Sequence, residues 1–311
     1  MTPNANDTQL LGQTCAILTA LTWSFAMVLF KLSGQRVAPL ALNLFKNAVG
    51  LSLLALTILV MWLAKCGPGL EVLREQPTRD IWLLLLSGFI GIAVADTIFF
   101  RGLNLIGVGI VAIVDCLYSP SVIVCAYLML GERLAPWQVA GGAVIVGAVF
   151  VSTHVQPPKD RTRRQLALGI VLAACSMALM AFGIVLVKPL LGHFPLIWAA
   201  TLRMVAGTLS LALIAAASPQ RQEVYSTFRP QQVWRWSVPA AVLGAYVSMI
   251  LWVAGFKYMP ASAASILNQT STVFAIVLAT LLLKEGFDRR KGLALVLALA
   301  GVILVTLGGA R

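Results

Sequence analysis

Asp115 stands about ten residues into a long apolar stretch. A charged side chain at the centre of a membrane helix costs about 2.5 to 3.5 kcal/mol, so it needs water, a partner or a function. A carboxylate there can recognise a cationic group or exchange a proton with a cationic substrate; the structural alternative is a hydrogen bond that ties one helix to another. Asn268 holds a matching place in a later apolar stretch and begins the polar run Gln269, Thr270, Ser271, Thr272. Two such positions at equal depth are expected to face each other and to line one central polar cavity. Lys46 and Arg203 each lie about eight residues inside an apolar stretch. They are long enough to snorkel to an interface or to pair with an acid; the functional alternative is recognition of an anionic substrate group. Trp23, Tyr118, Trp252 and Tyr246 fall within stretches rather than at the interfaces where aromatic belts form. Aromatics there fill cores or, for Trp23 and Tyr118 first, stack on a substrate. The candidate substrate-binding set is therefore Asp115, Asn268, Gln269, Trp23, Tyr118, Lys46 and Arg203. Pro120, five residues past Asp115, removes a backbone donor and is expected to kink the helix beside this site.

Other polar residues read as structural. Lys31 and Lys188 end apolar stretches, where a cation suits a helix C-terminus. Asp96 and Arg101 are five residues apart, which is not the spacing of a good helical ion pair, and they read as end-of-helix residues with Asp96 a secondary cavity candidate. Glu132 and Glu285 each follow the last apolar turn of a stretch and read as loop structure. Cys15, Cys66, Cys116, Cys125 and Cys175 are scattered without CxxC spacing and read as small apolar residues, neither disulfides nor metal ligands. Paired glycines such as Gly88 with Gly91, Gly107 with Gly109 and Gly141 with Gly142 permit close helix packing. The chain has no H-E-x-x-H, no G-x-S-x-G and no G-x-x-x-x-G-K-[ST], and its only histidines, His154 and His193, lie at loop edges. Enzymatic chemistry, a metal, a cofactor and self-powered nucleotide hydrolysis are accordingly not expected.

The elements that position these residues are membrane helices. Hydrophobic residues make up 59% of the chain and charged residues 11%, against about 25% charged in an average soluble domain. Ten apolar segments, each near the roughly 20 residues that cross a hydrocarbon core, lie close to 11–31, 39–64, 80–101, 106–130, 137–154, 166–188, 195–217, 232–256, 261–283 and 290–309. An all-α polytopic membrane protein is the fold class. The first segment lacks a basic n-region and a cleavage site and is expected to stay as an anchor. The formal charge of +12 comes mainly from short loops beside the spans, which is membrane anchoring rather than a nucleic-acid surface.

The chain repeats itself. A shift of 153 positions aligns 101–153 with 254–306, putting Asp115 on Asn268 and Glu132 on Glu285. A shift of 157 pairs Lys31 with Lys188, Lys46 with Arg203 and Gly50 with Gly207. The division is a first five-helix repeat at 1–154, a basic linker at 155–165 with Lys159, Arg161, Arg163 and Arg164, and a second repeat at 166–311. Five spans is an odd number, so the second half enters the membrane from the opposite side and the halves are inverted. Inverted repeats can exchange conformations around a site near the midplane, which is a route to alternating access.

The run Leu21-Thr22-Trp23-Ser24-Phe25 leading to Phe30-Lys31, and Gly131-Glu132-Arg133 followed by Gly141, Gly142 and Gly147, resemble the drug/metabolite transporter superfamily in its EamA branch. Lys284-Glu285-Gly286 followed by Gly292 and Gly301 repeats the second motif, and the likeness spans about residues 9 to 309. Met180 stands where the first repeat has Trp23, so the aromatic occurs in one half only. The resemblance implies a ten-helix bundle with a central cavity that carries amino acids, related metabolites or toxic small molecules. The resulting expectation is a secondary active exporter of amino acids or related small metabolites, with the lipid bilayer and a small-molecule substrate as partners, protons as coupling ion and a monomer as the working unit. A multi-pass place in the plasma or inner membrane follows. A channel or a drug or amine efflux carrier is the alternative, and a membrane-embedded enzyme the remotest. Loop charge and resemblance disagree on orientation. The loops after odd-numbered spans carry 14 Lys and Arg against 7 on the other side, which puts both termini outside by the positive-inside rule, whereas the resemblance puts both inside.

Overall fold

A computed structural model of the chain describes residues 5–131, 136–153, 162–219, 221–284 and 289–308. Among them the secondary structure is helical throughout. The long helices are α1 (Ala5–Gly34), α2 (Pro39–Leu63), α3 (Thr78–Asp115), α4 (Tyr118–Leu130), α5 (Pro136–Thr153), α6 (Arg163–Val187), α7 (Leu196–Ala217), α8 (Trp234–Tyr258), α9 (Ala261–Leu282) and α10 (Arg289–Gly308). Large apolar side chains such as Leu63, Leu128, Phe150, Leu213 and Leu281 remain exposed around them. In water so much apolar surface would drive association; in a membrane it is the lipid face. The backbone bonds close within each helix, as a chain in hydrocarbon requires.

Span boundaries differ from the sequence expectation at α3. The third segment does not end near residue 101; the helix runs on to Gly107, whose φ of 80° and ψ of 171° break it. A left-handed φ of this kind suits a residue without a Cβ, so Gly107 separates the third span from the fourth, and the fourth continues through α4. Arg163 to Gln165, in the segment expected to be linker, form the first turn of α6, where Thr162 and Gln165 close a reciprocal capping box. Glu132, Glu285 and the linker residues 155–161 lie outside the described residues.

The two halves are inverted copies in backbone detail. A seven-residue π segment, Phe89–Ala95, interrupts α3, and Val242–Val247 interrupts α8 at the position 153 residues later. Gly107 maps onto Pro260, which ends α8 and starts α9. Gly131 (φ 68°) and Lys284 (φ 51°) close α4 and α9 in the same left-handed conformation. Packing exchanges partners between halves: α1 lies on α8 and α9, as α6 lies on α3 and α4; α2 packs on α8, as α7 packs on α3. Gly50 meets Ala245 and Gly207 meets Ile92, the same contact in each half, and both are too close for a Cβ. Helices α5 and α10 pack mainly on each other, to one side.

Candidate functional site

The fourth and ninth spans are discontinuous where they cross. Cys116 N–H turns to the Ile113 carbonyl and Leu117 N–H to that of Val114, tightening the chain between α3 and α4. In the other half Gln269 N–H turns to Ile266 and Thr272 N–H to Gln269. The break precedes Pro120, which sits in the first turn of α4, where a missing N–H is tolerated. Asp115 ends the N-terminal piece of one broken span and Asn268 that of the other. Carbonyls freed by the first break are met from α9: Gln269 Nε2 donates to Asp115 O at 3.4 Å and Thr272 Oγ1 to Ala112 O at 3.1 Å. Ser119 and Ser265 hydroxyls are 3.4 Å apart across the same seam.

These breaks open onto a central cavity of about 110 Å³, where about 10 to 15 Å³ accommodates one water. Among the described residues its walls come from α1–α4 and α6–α9. All seven candidate residues lie on it: Asp115, Asn268, Gln269, Trp23, Tyr118, Lys46 and Arg203. Gly91 and Gly244, repeat mates within the two π segments, face it as well; π segments add a residue to a helical turn and recur at functional sites.

The cations of α2 and α7 do not reach an interface. Lys46 is 2% exposed and Arg203 1%. Lys46 Nζ donates to Asp96 Oδ2 at 2.6 Å, forming a buried ion pair. Asp96 is thus no helix end. It is 5% exposed, lies in mid-helix and lines the cavity, while Arg101 is exposed. Sequence reasoning placed Asp96 second because the helical spacing rule looks along one helix, and its partner is on another. Met249, the repeat mate of Asp96, also lines the cavity. In an apolar chain such a residue carries no signal of its own.

Several buried polar atoms on this cavity have no hydrogen-bond partner: Arg203 Nε and Nη1, Tyr118 Oη, Asn268 Oδ1 and Gln269 Oε1. Arg203 Cζ stands 5.2 Å from the Trp252 ring centroid, a stabilising contact for a cation but no neutralisation of it. Asp115 forms no ion pair among the described residues. Native interiors satisfy the large majority of buried polar groups, and the exceptions here gather mainly on one cavity. Trp23 packs on Phe99 and Phe30, with centroids 5.9 and 6.4 Å away, and Met180 faces the same space from α6.

Lys31 and Lys188 are matched again, in a way the sequence did not display. Lys31 Nζ donates to the carbonyls of Leu103 and Asn104 at the end of the third span, and Lys188 Nζ to those of Phe256 and Met259 at the end of α8. Each caps a neighbouring helix rather than its own. Among the described residues no group of three or more His, Cys, Asp or Glu is placed to hold a metal ion.

The sequence matches the model of a family described as the EamA-like transporter family, over residues 10–153 and again over 167–307. No curated protein matches the chain. A solved structure described only as the crystal structure of a protein is similar over 95% of this chain and 96% of its own, with a TM-score of 0.70 and 19% identity. At that identity the likeness concerns the fold.

Proposed function

The chain belongs to the EamA-like transporter family and is a multi-pass membrane transporter, and from that premise we propose that it is a secondary exporter of amino acids or related small metabolites, working by alternating access. The observation that carries this reading is the central cavity: it lies where two inverted halves meet, at the breaks of two repeat-related helices, and it gathers polar atoms without partners. Discontinuous helices at a repeat interface are the usual architecture of substrate sites in secondary carriers. The rocking bodies are 1–154 and 166–311, joined by the linker 155–165. Asp115, with Asn268 and Gln269 beside it, takes the cationic end of the substrate, and proton exchange on its carboxylate couples export to a proton gradient across the plasma or inner membrane.

The two-fold inverted repeat, whose cavity carries its two carboxylates, Asp96 and Asp115, in the first half alone, favours a carrier over a channel, which normally lines its pore with a ring of like groups. The test is counterflow by the purified protein in sealed vesicles over amino acids and amines, with and without a pH gradient. Saturable counterflow of amino acids that accelerates when a proton gradient opposes their movement is expected. Flux that neither saturates nor shows counterflow overturns the carrier reading in favour of a channel.

A further inference from the structure

The two halves solve the same electrostatic problem differently. In the first, the cation on α2 is closed by a carboxylate on α3: Lys46 with Asp96 at 2.6 Å. In the second, the repeat-related cation is Arg203 on α7, and the residue at the position of Asp96 is Met249 on α8. Arg203 is 1% exposed, and its Nε and Nη1 have no partner. Asp96, the carboxylate whose charge is felt at Arg203, is already bound by Lys46, and among the described residues no salt bridge joins Asp96 to Arg203. Lys46, Asp96 and Arg203 together therefore hold one positive charge more than the protein balances locally. Leaving a buried charge uncompensated is costly. Gly91, on the same cavity, lies beside Arg203 Nη2, which stands 3.4 Å from the place a Cβ would take, an ordinary contact distance.

We propose that Arg203 is the anchor for a carboxylate on the substrate, and that this carboxylate occupies the place that Asp96 holds in the other half, beside Met249. The proposal rests on the reading of the central cavity as the transport site and names the chemistry of one end of its guest. A guanidinium offers a planar fork matched to a carboxylate's two oxygens. A single uncompensated positive charge calls for a monoanion; a phosphate dianion would add negative charge to a cavity that already contains Asp96 and Asp115. Tyr118, within electrostatic reach of both Arg203 and Asp115, brings a hydroxyl with no hydrogen bond of good geometry, a third donor for the same guest. A substrate with a carboxylate for Arg203 and an ammonium for Asp115 leaves neither charge unpaired.

The test measures binding to the purified protein by calorimetry, using valine, leucine and phenylalanine, each beside its decarboxylated amine and its deaminated acid. Carboxylate-bearing members are expected to bind at least tenfold more tightly than the matching amine. Met249→Asp supplies from within the carboxylate that Asp96 supplies in the first half, and it should abolish that preference, whereas Met249→Asn should keep it. Arg203→Gln should abolish it as well, and gives a second route should Met249→Asp fail to fold. Amines that bind the parental protein as tightly as the amino acids, a preference that survives Met249→Asp and Arg203→Gln, or no carboxylate binding at millimolar concentration would each overturn the proposal. Its failure is separable from that of the carrier reading. Counterflow of amines with no carboxylate preference removes the anion site and keeps the carrier, while carboxylate-dependent binding without counterflow in vesicles keeps the site and removes the carrier.

Discussion

Around the cavity, the first and second halves share their backbone and divide their chemistry. The π segments of α3 and α8, the breaks at Gly107 and Pro260, the tightened turns at Cys116 and Gln269 and the left-handed closures at Gly131 and Lys284 recur at one offset. The side chains that face the cavity do not match: Asp96 against Met249 and Asp115 against Asn268 at that offset, and Trp23 against Met180 at an offset of 157. Under the proposed alternating access, matched backbones let each half take up the conformation of the other. A small metabolite has no two-fold axis, so side chains that must hold one are under no pressure to match. Symmetry resides in the backbone breaks and asymmetry in the cavity lining.

The largest expected effect comes from opening the one closed charge pair. Asp96→Asn leaves Lys46 buried beside Arg203 with no anion, and breaking a buried pair from one side costs about 3 to 5 kcal/mol. Thermal unfolding of the purified protein in detergent should show it as a large drop. Lys46→Met should cost less, because Asp96 is then released toward Arg203 and the first half's carboxylate serves the second half's cation. Combining Lys46→Met with Asp96→Leu should recover much of the stability, since an apolar pair of similar shape packs without desolvating charge. Equal losses for the two single variants would show that Arg203 is out of reach of Asp96, and the comparison of the two cations would fail.

A smaller effect is expected at the other matched pair. Asp115→Asn makes the two broken spans alike, with an amide in each, and removes a charge while keeping the shape. A hydrogen bond to a charged group contributes about 1.5 to 3 kcal/mol, so amino-acid transport into vesicles should fall about tenfold to hundredfold, and its dependence on pH should flatten. Insertion and thermal stability should change little. A variant that transports at the parental rate with unchanged pH dependence would reduce Asp115 to a tie between helices.

Much of this arrangement was legible in the sequence because lipid makes polarity expensive. Ten apolar segments, the offset of 153 and the mid-span placement of Asp115 and Asn268 could be read from single residues. What escaped was pairwise. The tie between Lys46 and Asp96 joins residues 50 positions apart on different helices, and no periodicity reports it. Asp96 looked terminal because Arg101 follows it, yet the helix continues to Gly107, with Arg101 turned outward. Met249 became informative only once its mate was known to hold a cation. The lysines 31 and 188 were rightly matched with helix ends, but the carbonyls they cap belong to neighbouring helices.

The smallest effect tests whether the break in the fourth span is built or merely frayed. Because Cys116 N–H turns back to Ile113, the Ala112 carbonyl loses the donor that an unbroken helix would give it. Thr272 Oγ1 supplies one from α9 at 3.1 Å, while also lying 3.2 Å from Cys116 Sγ. Thr272→Val keeps the branched volume and deletes the donor. Hydrogen bonds between membrane helices average about 0.6 kcal/mol and reach about 1.7, so thermal stability in detergent should fall by an amount in that range, with binding at Arg203 unmoved. The mate of Thr272 is Ser119, whose hydroxyl has only a 3.4 Å contact with the Ser265 hydroxyl and relieves no freed carbonyl. Ser119→Ala should therefore cost less than Thr272→Val. A seam that only glued two frayed ends would charge both variants alike, because neither hydroxyl would then be answering a specific break; a greater loss at Thr272 means that α9 holds the fourth span open at the level of Asp115.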